Sequence, residues 1–116
     1  MAHYDENYDL FAQRSENETS TSKTALNLLA DCTSVQKERA NEYKGGGERS
    51  FNAVSAAFNA ITGKDITPAE VALLLQVLKD VRQWSKDRLH PDSVLDSVSY
   101  ASLKGEELYK QYGGVE

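Results

Sequence analysis

Hydrophobic residues recur every three or four positions along most of this chain, which is the spacing of one face of an α-helix. The pattern predicts four helices, at about residues 22–44, 50–62, 68–87 and 92–112. No segment shows the alternation of hydrophobic and polar residues that marks a strand. The sequence therefore predicts an all-α fold, a compact bundle of four helices joined by short loops.

Local signals place the ends of these helices. The glycines at 45–47 separate the first two helices, because consecutive glycines lose too much backbone entropy to remain helical. Gly63 ends the second helix. Thr67 is a suitable N-cap, Pro68 suits the first helical position and Glu70 completes a capping box. The third helix is therefore predicted to begin at Pro68.

The third predicted helix has an unusually broad apolar face. Six apolar residues are predicted on its inner side: Val71, Leu74, Leu75, Leu78, Val81 and Trp84. Leu73 and Val77 make this apolar face wider. A face this broad is typical of a helix that contacts several neighbours or takes part in a subunit interface. We therefore expect the protein to form a homo-oligomer.

The first 21 residues differ in composition from the rest. They are polar apart from Tyr4, Tyr8, Leu10 and Phe11. We expect a partly ordered arm at 1–21, followed by one helical domain at 22–116. Because Tyr4, Tyr8 and Phe11 have helical spacing, a short helix that docks on the body or on another subunit is an alternative.

Composition narrows the classes of function. The net charge is -5 and the sequence contains no cluster of basic residues, so we do not expect direct binding to nucleic acid. Mimicry of nucleic acid is an alternative use of an acidic surface. Cys32 is the single cysteine, which excludes an intramolecular disulfide and favours a small core residue. The absence of a secretory or membrane-spanning pattern predicts a cytoplasmic protein.

Two carboxylates and a phenol share one stripe of the fourth predicted helix. Asp92, Asp96 and Tyr100 follow each other at intervals of four residues, so their side chains stack along one face. Carboxylates on adjacent turns can hold Mg²⁺, which in turn binds substrate phosphates. The alternative is structural: Asp92 complements the positive end of its helix and Asp96 pairs with a nearby basic residue.

Other charged residues could complete such a site. Lys79 and Arg82 could meet a phosphate or the two aspartates, and a lysine beside an apolar face needs a partner. Glu38 and Glu42 repeat the spacing of four and could supply further metal ligands, although such pairs often face solvent. His90 could act as an acid or base near neutral pH, or simply cap a helix.

Four short blocks resemble a domain family common in phages and prophages. They lie within about residues 35–104 and read ERANEY at 38–43, ITPAEVA at 66–72, LKDVR at 78–82, and HPDS at 90–93 followed by Asp96 and Tyr100. That family resembles the nucleotide-modification-associated domains. These are in turn distantly similar to the MazG-type all-α nucleoside triphosphate pyrophosphohydrolases.

The resemblance implies a phage-encoded protein that binds a nucleotide or nucleotide-like ligand. It implies ligand-binding roles for six residues: Arg39, Tyr43, Lys79, Arg82, His90 and Tyr100. It implies Mg²⁺ as cofactor, with Glu38, Glu42, Asp92 and Asp96 as candidate ligands. It assigns no catalytic residue.

Two interpretations of function remain open at this point. In the first, the protein binds a nucleotide, either as a magnesium-dependent pyrophosphohydrolase or as a noncatalytic relative. In the second, it is a noncatalytic phage accessory protein that inhibits a host defence factor through protein contact or by sequestering a ligand. In this second interpretation, Asp92, Asp96, Lys79 and Arg82 form a charge network that fixes the register of the helices.

Overall fold

The computed structural model describes residues 22–43 and 50–113, with the side chains of Glu42 and Tyr43 excepted. This part of the chain forms four α-helices and no strand: α1 (Ala25–Tyr43), α2 (Phe51–Thr62), α3 (Pro68–Trp84) and α4 (Pro91–Gln111). The predicted all-α bundle is confirmed. The proposed arm at 1–21 and the glycines at 45–47 lie outside the described residues. None of the described helices has the length and apolar composition needed to cross a membrane.

The helices pack in an order that differs from their order in the chain. α4 packs along α3 and also contacts α1, whereas α2 packs against α3. A core cluster joins Phe51 of α2, Val71 and Ala72 of α3, and Leu103 of α4. Because α4 lies between α1 and α3, its side chains take part in both helix interfaces.

The short connection from α2 to α3 is fixed by hydrogen bonds. Gly63 adopts a left-handed conformation with φ 73° and its N–H donates to the Asn59 carbonyl at 2.8 Å. The Asn59 amide donates to the Ile66 carbonyl at 3.0 Å, and the Ile66 N–H donates back to Asn59 Oδ1 at 2.8 Å. The predicted capping box is confirmed, since Thr67 and Glu70 each accept a hydrogen bond from the other's N–H.

α3 ends at Trp84, three residues earlier than predicted. The cause lies in the Gln83 side chain, whose amide donates to the Arg88 carbonyl at 2.9 Å. The His90 N–H also donates to Gln83 Oε1 at 2.7 Å. These two hydrogen bonds hold residues 85–90 in a turn, and α4 then begins at Pro91, one residue before the predicted start.

The predicted inner face of α3 is wrong for most of its residues. Val71 is buried and Leu75 half-buried, as expected, but the other four are exposed: Leu74, Leu78, Val81 and Trp84. α4 instead packs on the opposite side of α3, where Ala72 is fully buried and allows close approach of the two helices. Polar contacts line this interface, including a hydrogen bond of 2.9 Å from Lys104 to Gln76.

Candidate functional site

An interhelical ion pair occupies the middle of the α3–α4 interface. Lys79 Nζ lies 3.0 Å from Asp96 Oδ2, and these side chains are only 17% and 24% exposed. One position further along each helix, Ser97 Oγ donates to Asp80 Oδ1 at 2.6 Å. The expectation that Lys79 requires a partner is therefore confirmed. Together these contacts fix the register of α3 against α4.

The predicted stripe of Asp92, Asp96 and Tyr100 does lie on one helix, but its members have different surroundings. Asp92 is exposed in the first turn of α4, where a carboxylate complements the helix dipole. Asp96 is held by Lys79. Tyr100 is half-buried and packs against the core cluster. The three side chains therefore differ in their exposure and in their contacts.

The remaining predicted site residues are spread over the fold. Arg82 is exposed in the last turn of α3, and Arg39 is half-buried on α1. His90 is the N-cap residue of α4, and its Nδ1 lies 2.6 Å from Ser93 Oγ. Glu38 is exposed on α1. The side chains of Glu42 and Tyr43 lie outside the described residues.

The described carboxylates do not assemble into a metal-binding group. Within the described ranges, no three His, Cys, Asp or Glu side chains come together as ligands for one ion. Glu38, Asp92 and Asp96 are all described, so they do not form such a group among themselves. Of these, Asp96 also has an oxygen engaged by Lys79. The metal-binding role of Glu38, Glu42, Asp92 and Asp96 stays a prediction.

A cleft of about 320 Å³ lies between α1 and α4. Its volume is at the lower end of the range typical of small-molecule sites. Helix α4 contributes Val98 and Ser102 to the lining of this cleft. The rest of the lining comes from α1: Leu29, Cys32, Thr33, Gln36, Lys37 and Ala40. We call it the α1/α4 cleft.

The α1/α4 cleft combines apolar walls with fixed polar groups. Leu29, Ala40 and Val98 supply apolar surface. The Gln36 amide nitrogen donates to Ser99 Oγ at 2.9 Å and to Ser102 Oγ at 3.0 Å, so the polar edge is held in place by α4. Lys37 adds a positive charge at the exposed edge. This arrangement suits a ligand with an apolar ring and an anionic group.

Cys32 is buried and lies where α1 meets α4. Its thiol donates to the Leu95 carbonyl across a distance of 3.5 Å. Burial raises the pKa of the Cys32 thiol, and the negative charges of Asp31 and Asp96 raise that pKa further. At neutral pH the thiol is therefore protonated and a poor nucleophile, which agrees with its predicted role as a small core residue.

The raised pKa of Cys32 has a consequence for stability at alkaline pH. Above about pH 8.5, the ordinary thiol pKa, the unfolded chain loses this proton more readily than the folded protein does. We expect the free energy of unfolding to fall as pH rises through this range, and the fall to be shallower in Cys32→Ala. Urea unfolding of both proteins between pH 7 and pH 10 measures the two slopes. Equal slopes would show that Cys32 does not contribute.

The sequence contains one signal for this cleft, which is the helical spacing of its α1 residues and not a catalytic or metal-binding motif. Cys32, Gln36 and Ala40 recur every four residues on α1, opposite Val98 and Ser102 on α4. This is the spacing of one helix face. An uncharged polar residue such as Gln36 belongs to no recognisable catalytic motif, and the sequence pattern does not indicate that α1 packs on α4 and not on α3.

Comparison with known proteins supplies the family. A family model described as DUF6378, a domain of unknown function, matches residues 27–108. This chain belongs to the DUF6378 family. The matched range includes all the residues that line the α1/α4 cleft, together with the Lys79–Asp96 pair. No curated protein and no solved structure matches the DUF6378 chain.

Proposed function

We propose that this DUF6378 protein binds a nucleotide or nucleotide-like ligand in the α1/α4 cleft. The observation that supports the proposal is the pairing, in one cleft, of an apolar wall with a fixed amide edge and a lysine. A nucleotide presents the same sequence of properties, from a flat base through a hydroxylated sugar to anionic phosphate. The cleft therefore offers the kinds of contact that such a ligand needs.

Each part of the cleft has a role in this proposal. The base packs against Leu29 and Val98, which contribute apolar contact. The sugar hydroxyls donate to the Thr33 and Ser102 hydroxyl oxygens, whose own protons are donated to backbone carbonyls. Lys37 meets the phosphate as a charged donor. The site differs from the one predicted around Lys79 and Arg82, because Lys79 is committed to Asp96.

The proposal includes no hydrolytic step. A pyrophosphohydrolase that works through magnesium needs carboxylates that converge on the ion, and the described carboxylates do not converge. Similarity to the MazG-type enzymes is thus proposed only for the class of ligand. That the protein is encoded by a phage is a separate proposal. Magnesium that accompanies a bound nucleotide would be carried by the phosphates themselves.

Contact with a host protein, including a defence factor, is the second candidate function. It is favoured by aromatic side chains at the end of α4, where Tyr109 and Tyr112 are exposed. Exposed tyrosines are enriched in protein interfaces because they bury a large area with little loss of conformational freedom. In this second proposal the α1/α4 cleft has no ligand of its own.

Calorimetric titration of the full chain with a panel of nucleoside triphosphates, with and without magnesium, tests the first proposal. We expect saturable binding of at least one nucleotide. Lys37→Ala is expected to weaken it about tenfold or more, because a charge-assisted contact contributes roughly 1.5–3 kcal/mol. Lys64→Ala removes an exposed lysine from the α2–α3 connection and is the matched control.

The outcomes separate the two candidate functions. Equal loss of affinity in Lys37→Ala and Lys64→Ala would mean that the nucleotide binds through general charge and not in the cleft. No binding of any nucleotide at millimolar concentration would exclude the first proposal and leave protein contact. Release of pyrophosphate that is lost in Asp92→Ala would contradict the absence of a hydrolytic step.

A further inference from the structure

α3 has a second apolar face that no described helix covers. Leu74 is 59% exposed, Val81 is 58% exposed and Trp84 is 84% exposed, and Leu73, Val77 and Leu78 are exposed beside them. On a helical projection these residues lie opposite the side of α3 that packs on α4. Soluble monomers rarely expose so many adjoining large apolar side chains on one helix.

The spacing on this face is that of a helix-pairing seam. Leu74, Val77, Val81 and Trp84 are separated by three, four and three residues, which is the alternation found at the a and d positions of coiled coils. Leu73 and Leu78 flank the seam and widen it. We call these six residues the α3 seam. Such spacing suits another helix packed nearly parallel or antiparallel to α3.

We propose that the α3 seam pairs with the α3 seam of a second copy of this chain, with the two helices antiparallel. In that register Leu74 of one copy lies opposite Trp84 of the other, and Val77 lies opposite Val81. The four residues at the a and d positions thus meet one another, and the pairing closes by two-fold symmetry. A face that is complementary to itself needs no second kind of partner.

Charges at the two ends of α3 favour the antiparallel arrangement. Glu70 is exposed in the first turn, on the same stripe as Leu74. Beyond Trp84 the chain carries Lys86, Asp87 and Arg88, which together have a net positive charge, and all three are exposed. The antiparallel register brings the Glu70 end of each α3 to the end of the other α3 from which this positive segment continues, and it also opposes the two helix dipoles.

Sedimentation of the full chain tests whether the seam pairs. We expect a dimer for the natural sequence and a monomer for Val81→Glu, with helical content unchanged by circular dichroism. Leu26→Glu is the matched control, because Leu26 is 75% exposed on α1 and lies outside the seam. It should remain a dimer. Trp84 is the only tryptophan, so its emission should shift to the red in Val81→Glu alone.

Spin labels distinguish the direction of pairing. In a Cys32→Ser background, labels at Arg82→Cys lie near the two-fold axis of the antiparallel pair and should be close together. Labels at Lys64→Cys lie far from that axis and should be tens of ångströms further apart. Similar separations at both positions would indicate a parallel pair and overturn the proposed register.

Three other results would overturn the proposed pairing of the two seams. One is a monomer in which Trp84 is accessible to iodide, since the seam is then simply exposed. The second is a monomer in which Trp84 is shielded until Phe11→Ser exposes it, since residues 1–21 of the same chain then cover the seam. The third is a dimer that survives Val81→Glu, since the contact then lies elsewhere on the surface.

Discussion

Replacement of Phe51 by alanine is expected to lower the free energy of unfolding by about 3–4 kcal/mol. Phe51 is almost completely buried and belongs to one core cluster with residues from two other helices, Val71 on α3 and Leu103 on α4. Truncation of its ring removes apolar burial and leaves a cavity that rigid neighbouring helices cannot fill. For a domain of this size, whose total stability is on the order of 10 kcal/mol, the loss is large.

Phe58→Ala is the matched control for this prediction. Phe58 lies on the same helix and has the same side chain, but it is 40% exposed and lies outside the core cluster. Its replacement should cost about 1–2 kcal/mol. Denaturant unfolding at one fixed protein concentration measures both changes, because the proposed dimerisation would make stability depend on concentration. Equal losses in the two variants would mean that the core does not centre on Phe51.

Replacement of Asp96 by alanine is expected to lower the free energy of unfolding by about 2 kcal/mol. The change leaves the Lys79 ammonium without its partner in a position that is mostly shielded from water. The cost is smaller than that of a fully buried pair because both side chains retain some exposure to solvent. The double variant Lys79→Met with Asp96→Leu should recover part of the loss, since neither half-buried charge remains.

Asp92→Ala provides the comparison within the same helix. Asp92 is exposed in the first turn of α4, so its loss should cost less than about 1 kcal/mol through the helix dipole alone. Thermal and urea unfolding of Asp96→Ala, the double variant and Asp92→Ala ranks the three by their loss of stability. If Asp92→Ala proved as costly as Asp96→Ala, the Lys79–Asp96 pair would not be the element that fixes the register of α3 on α4.

The sequence predicts the helices well because helix formation depends on local signals. The Thr67 and Glu70 capping box, Gly63 and the spacing of apolar residues act within a few positions of one another. The end of α3 was misplaced because the Gln83 side chain supplies hydrogen bonds to residues five and seven positions later. Such a contact depends on the path of the turn, which periodicity does not reveal.

The packing and the site were harder to predict for a related reason. Helical spacing shows that α3 has apolar residues on several sides, but it does not show which side faces α4. The structure uses the side that contains Ala72 and Lys79 and leaves Val81 and Trp84 exposed. The α1/α4 cleft depends on the same choice of neighbours. Charged motifs thus pointed to Lys79, whereas the cleft contains Gln36 and Lys37.

The most direct test of nucleotide binding in the α1/α4 cleft is an NMR titration of the isotope-labelled full chain with each nucleoside triphosphate of the panel. We expect the perturbed backbone amides to cluster within residues 29–40 and 98–102, the segments that line the cleft. We expect little change around Lys79 and Arg82. An absence of perturbation with every nucleotide, or a cluster centred on Lys79, Arg82 and His90, would show that no nucleotide binds in the α1/α4 cleft.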